Sequence, residues 1–195
     1  MKIRTLAAGL VMAITSGVVA SAATQQTTQY SSYPVTGRNP TEIYRAILNR
    51  GPMVEGKRAI AATTSQAVQS HVLTQGSSSC RVTEFRLNFR FDVKLPRHTT
   101  LAVLSPRDRY LWQQFLGFLK THELQHTRLW LQCGANLERQ VMSLRAASCA
   151  EVERRAEDLW RRMKPSCDRQ QVDFDKQQRG ELMSHPFMQK VMRGD

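Results

Sequence analysis

The sequence predicts an α+β fold: a small antiparallel sheet with a short helix, followed by a long helical hairpin. Three features predict it. Phe85, Leu87, Phe89, Phe91, Val93 and Leu95 alternate with Arg86, Asn88, Arg90, Asp92 and Lys94, the period of a strand with one buried face. Apolar residues and histidines then recur at steps of three and four over Leu111, Phe115, Phe118, His122, His126, Leu129, Cys133, Leu137, Val141 and Leu144. A second stripe of that period carries Cys149, Val152, Ala156, Leu159, Met163, Cys167, Phe174 and Leu182. With 195 residues, 41% hydrophobic and 23% charged, the chain has room for one core and is neither collagen-like nor a multi-span membrane protein.

Read in order, residues 1–22 have the form of a secretory signal peptide. Lys2 and Arg4 precede an apolar run over residues 6–19, which ends in Ala20-Ser21-Ala22. No later segment is long and apolar enough to span a bilayer. Residues 23–32 are Thr, Gln and Ser in the main and are expected to act as a polar tether. A single domain is expected over residues 33–183. Within it, Asn39-Pro40-Thr41-Glu42 starts a short helix that Gly51-Pro52 stops, and residues 59–73 are expected to form one extended strand. Pro96 ends the alternating strand, and Ser105-Pro106-Arg107-Asp108 opens the first long helix. The second begins near Ser148 and is expected to kink or restart at Pro165. Residues 184–195 read as a basic flexible tail.

Four cysteines, Cys80, Cys133, Cys149 and Cys167, suit an oxidising compartment and allow up to two disulfides, with all three full pairings open. None forms a C-x-x-C pair. The net charge of +12 favours an anionic partner such as a cell-envelope component. The arginines are scattered rather than clustered, so no specific nucleic-acid partner is expected.

The chemistry is concentrated in His122-Glu123-Leu124-Gln125-His126, an H-E-x-x-H sequence. On a helix it sets two imidazoles one turn apart on one face, where they can share a zinc ion, with Glu123 placed as general base. Lys120 and Arg128 flank the motif where metalloprotease helices are usually uncharged, and no Gly-x-x-His follows His126. A third ligand must therefore come from elsewhere. If the hairpin turns near residues 145–148, an equal run into the second helix reaches about residue 170, which puts Cys167, Asp168, Gln171 and Asp175 opposite the histidines. Any of the four could complete the site.

The chain resembles the bacterial family of predicted secreted zinc-dependent proteases, catalogued as a domain of unknown function. The resemblance runs over roughly residues 33–180. It is carried by Tyr33-Pro34-Val35-Thr36-Gly37, Gly51-Pro52, Thr63, Cys80, Leu95-Pro96, Trp112, and His122-Glu123 with His126. It implies a zincin-like peptidase with His122 and His126 as ligands and Glu123 as general base, and it suggests that Cys80 pairs with Cys149. Members of that family tend to end in Tyr-Asp-x-x-Thr-x-His-Gly. Here the stretch from Phe174 keeps the Asp, as Asp175, and a Gly, as Gly180, and lacks the Thr and the His.

The expected function is therefore a periplasmic or secreted bacterial zinc metallopeptidase acting on a peptide or protein. The rival expectation is a non-catalytic cell-envelope binding protein with a structural or vestigial metal site.

Overall fold

The structure, a computed structural model, describes residues 21–194. The expected signal peptide over residues 1–22 lies outside that range except for its last two residues. The described chain is α+β. Strand β1 (Ser21–Val35) is followed by helix α1 (Pro40–Arg50), a small hairpin β2 (Met53–Val54) and β3 (Lys57–Arg58), and the long strands β4 (Ala62–Gln75) and β5 (Cys80–His98). Helix α2 (Pro106–Met142), strand β6 (Arg145–Ala146), helix α3 (Cys149–Ser184) and helix α4 (Pro186–Arg193) complete it.

The sheet has the order β1-β5-β4, with β6 paired to the start of β5. β4 and β5 are antiparallel, as expected. β1 is not: it runs parallel to β5 from Ser21 opposite Glu84 to Val35 opposite His98, so the sheet is mixed. Residues 23–32, expected as a tether, thus form most of a strand. The side chains of residues 24–32 bury little, but the strand's backbone groups pair along the central strand, and Tyr33 and Val35 at its end enter the core. The strand expected over residues 59–73 is β4, shifted by two or three residues.

β5 supplies the sheet's buried face. Phe85, Leu87, Phe89, Phe91 and Val93 are each 3% exposed or less, and each such side chain contributes roughly 1.5–3 kcal/mol on burial. α2 lies across them and comes close at Gly134, where a Cβ would stand 2.6 Å from Phe89 Cε2 and 2.8 Å from Leu87 Cδ2. Glycine is required there by space, not by backbone angle. α2 and α3 then form the expected hairpin. Ser105 and Ser148 cap their starts, accepting hydrogen bonds from the Asp108 and Glu151 amides.

α3 runs as one helix through Pro165, so it does not restart there. Proline removes only one backbone bond. The Lys164–Asp168 ion pair and the pairing of Cys167 with Cys133 hold the turns on either side. The other cysteine pair, Cys80–Cys149, is the one implied by the resemblance, with Cα atoms 5.0 Å apart. Closing that 69-residue separation stabilises the fold by about 4 kcal/mol on a chain-entropy estimate. No helix of the described residues is long and apolar enough to cross a membrane.

The expected flexible tail at residues 184–195 instead carries α4. Phe187 and Met188 are buried against α1 and α2, with the Phe187 ring stacked on Phe115 at 4.4 Å between centroids. Lys190 Nζ donates to Asp108 Oδ1 at 2.7 Å and fixes the helix in place. Burial raises the Asp108 carboxyl, but hydrogen bonds from Lys190 and Ser105 and the charges of Lys190 and Arg107 outweigh it and hold the group below its usual value. A carboxyl depressed by folding contributes stability that is present above the ordinary value of 3.8 and lost as pH falls through the lowered one. Lys190→Met is expected to cost about 1–3 kcal/mol at neutral pH. That gap should close in acid, as followed by denaturant midpoints of the two proteins; a gap independent of pH would show that the pair does not hold α4.

The buried residues fall into two clusters. One joins β5 to the middle of α2 and α3 and includes Trp130; the other gathers α1, α4 and the start of α2 and includes Leu119. The H-E-x-x-H turn of α2 lies between them.

Candidate metal centre and its cleft

Along α2 the buried residues are Asp108, Trp112, Phe115, Leu119, Glu123, Thr127, Trp130, Cys133, Gly134, Leu137 and Val141. This line meets the expected stripe at Phe115, Cys133, Leu137 and Val141 and is rotated from it between Phe115 and Cys133. Glu123, not the histidines, points to the sheet, and His122 and His126 flank it at the rim with side chains 17% and 13% exposed. Lys120 and Arg128 are exposed, on the face away from the core; Lys120 lies over the Tyr30 ring. The flanking charges are thus compatible with a half-buried motif.

α3 meets this rim with Asp175 and Gln171, one helical turn apart. Asp175 Oδ1 is 3.1 Å from His122 Nε2 and 3.0 Å from His126 Nε2, and the two Nε2 atoms are 3.2 Å apart. Among the described residues, this is the one group of three with geometry for a metal ion. Gln171 Oε1 accepts from His126 Nδ1 at 2.8 Å. The His122 ring lies on Phe174 at 4.8 Å and 25°. Two candidate ligands fall away. Cys167 is paired with Cys133, and Asp168 pairs with Lys164 at 2.8 Å.

The donor set fits zinc. Ligands about 2.0–2.1 Å from a tetrahedral ion lie about 3.3–3.4 Å from one another, close to the 3.0–3.2 Å triangle seen here. Two imidazoles and one carboxylate are also a usual donor set for a zinc with one open position. Without an ion, Asp175 Oδ1 lies within hydrogen-bonding distance of the Nε2 atoms of both rings. Its burial raises its pKa, yet the hydrogen bonds and charges of His122 and His126 prevail and hold it far below the usual carboxylate range. For His126, burial lowers the pKa, and the hydrogen bonds to Asp175 and Gln171 more than reverse this.

Glu123 is 4% exposed. Thr63, on β4, donates its hydroxyl to Glu123 Oε2 at 2.8 Å and lies 3.1 Å from the Glu123 carbonyl oxygen. Burial pushes the Glu123 carboxyl up, and the Thr63 bond and the two histidines only partly oppose it. The role of Thr63 is not visible in the order of residues, because 60 residues separate it from its partner. Its place in the family resemblance was the only signal.

Glu123, both histidines and Asp175 line one cleft of about 650 Å³ between β4 and α3. Toward the chain start of β4 its wall mixes Ile60, Phe118 and Leu182 with Glu55 and Arg179. Toward the other end it carries Trp130, Lys164 and Asp168. β4 has no strand on its far side among the described residues, so its free backbone groups border the cleft.

The family described as bacterial protein of unknown function (DUF922) matches residues 30–181, which include β1 from Tyr30, the whole of α2 and nearly all of α3. No curated protein and no solved structure matches the chain.

Proposed function

The chain belongs to the bacterial family of unknown function DUF922, and from that premise we propose that it is a zinc-dependent metallopeptidase working outside the cytoplasm. One observation carries the reading: His122 Nε2, His126 Nε2 and Asp175 Oδ1 converge within 3.2 Å of one another beside the buried carboxylate of Glu123. His122, His126 and Asp175 would hold the ion. Zinc bound there supplies Lewis acidity, polarising a carbonyl and lowering the pKa of a water toward about 7.

The rest is done by the chain's own groups. Glu123 takes a proton from the water that adds to the scissile carbonyl carbon, and returns it to the amine nitrogen as the C–N bond breaks. Thr63 engages Oε2, which leaves Oε1 to carry the proton. Burial favours the protonated carboxyl, so the proton is readily accepted. The free edge of β4 can align an extended peptide along the cleft by backbone hydrogen bonds. Two cysteine pairs support an oxidising compartment, the periplasm or the medium.

The test is zinc content. Protein purified from an oxidising compartment without added metal is expected to carry about one zinc per chain, and the His122→Ala, His126→Ala double variant none. Equal zinc in both would refute the site. One zinc without hydrolysis of any peptide would favour the non-catalytic envelope protein, with the ion clamping α2 to α3.

A further inference from the structure

We propose that Gln171 is a positioning residue that sets the tautomer of His126, so that Nε2 faces the ion as a bare lone pair. The inference rests on the metallopeptidase reading above. A neutral imidazole has one donor nitrogen and one acceptor, and the partner of one decides the state of the other. Gln171 Oε1 lies 2.8 Å from His126 Nδ1. A carbonyl oxygen only accepts, so Nδ1 carries the proton, and Nε2 is left free toward His122 Nε2 at 3.2 Å and Asp175 Oδ1 at 3.0 Å.

Two further observations point the same way. The Gln171 Nε2 atom is buried without a hydrogen-bond partner. A buried polar atom left unpaired is a cost that leucine at this position would avoid, so the amide is explained by its oxygen. The two histidines are also held differently. His122 Nδ1 is likewise buried without a partner, and its ring is held by stacking on Phe174. Only His126 has its far nitrogen engaged. One turn of α3 therefore supplies both a ligand, Asp175, and the group that orients the opposing ligand, Gln171.

The experiment measures zinc affinity by competition with a chromogenic chelator for the wild type, Gln171→Leu and Gln171→Glu, and records ¹⁵N shifts of the neutral His126 ring in the wild type before zinc is added. Gln171→Leu is expected to bind zinc about 10–100-fold more weakly, the usual loss when a ligand's outer partner is removed. Gln171→Glu, whose carboxylate also accepts from Nδ1, should recover most of it. The shifts should show the proton on Nδ1 and none on Nε2. The reversed amide would donate to Nδ1 and leave the proton on Nε2; that pattern, or equal affinity in Gln171→Leu, overturns the inference alone. A wild type that takes up no zinc overturns the metallopeptidase reading and this inference with it. The wild-type shifts decide the matter even if both variants misfold.

Discussion

Glu123→Gln is expected to abolish peptide hydrolysis while leaving zinc bound. The substitution keeps the shape of the side chain, and its amide oxygen still accepts from Thr63, now 2.8 Å from Oε2. What is lost is the group that takes and returns a proton, an effect of about 10²–10⁴-fold on turnover when that is all the residue supplies. Stability should not fall. Glu123 is 4% exposed and burial already disfavours its charged form, so a neutral amide is no worse accommodated. Three measurements on one sample decide: turnover on a peptide mixture, zinc per chain and the thermal midpoint. Undiminished turnover would remove Glu123 from the mechanism. Lost turnover together with lost zinc would mean that the carboxylate acts through the site's structure.

The features legible in the sequence were those with local periodicity. β5 shows its buried face in the alternation from Phe85 to Leu95, and α2 and α3 show theirs in steps of three and four. H-E-x-x-H names its own geometry, because four residues make one helical turn. β1 was not legible. Its Thr, Gln and Ser side chains carry no pattern, and its order comes from backbone pairing to residues about 60 positions later. α4 was missed for a related reason: it is eight residues long, and two buried side chains and one ion pair seat it against distant helices. The rotation of α2 between Phe115 and Cys133 also escaped the stripe. A steady three-and-four step fits more than one face of a 37-residue helix, and the neighbours decide which is buried.

The third ligand shows where local reasoning stops. Asp168 and Asp175 are seven residues apart, two turns of α3, so they lie on nearly the same face about 10.5 Å apart along the axis. Periodicity cannot choose between them; only the register of α3 on α2 can. The estimate that placed the turn at residues 145–148 reached residue 170, five short of Asp175. In the structure, Cys133–Cys167 and His126–Asp175 are both centred at about Ala150. The cysteine pair and the site thus share one register, displaced toward the C-terminus because β6 leaves the hairpin to pair with Cys80 and Arg81.

Asp175→Ala is therefore expected to lose zinc, and Asp168→Ala to keep it. Asp175 Oδ1 touches both Nε2 atoms, and removing it leaves two imidazoles one turn apart, a weak site for zinc. The loss should exceed the roughly 10–100-fold that follows removal of a ligand's outer partner. Asp168 meets only Lys164, in a pair whose side chains are 47% and 52% exposed, and its removal should change stability by less than about 1 kcal/mol. Chelator competition and calorimetry on the two variants provide the comparison. Both are part-exposed carboxylates of α3, so equal behaviour in the two would mean that Asp175 is a surface charge resting on a histidine pair. A loss confined to Asp175→Ala would identify the ligand by a contrast that no general weakening of α3 can imitate.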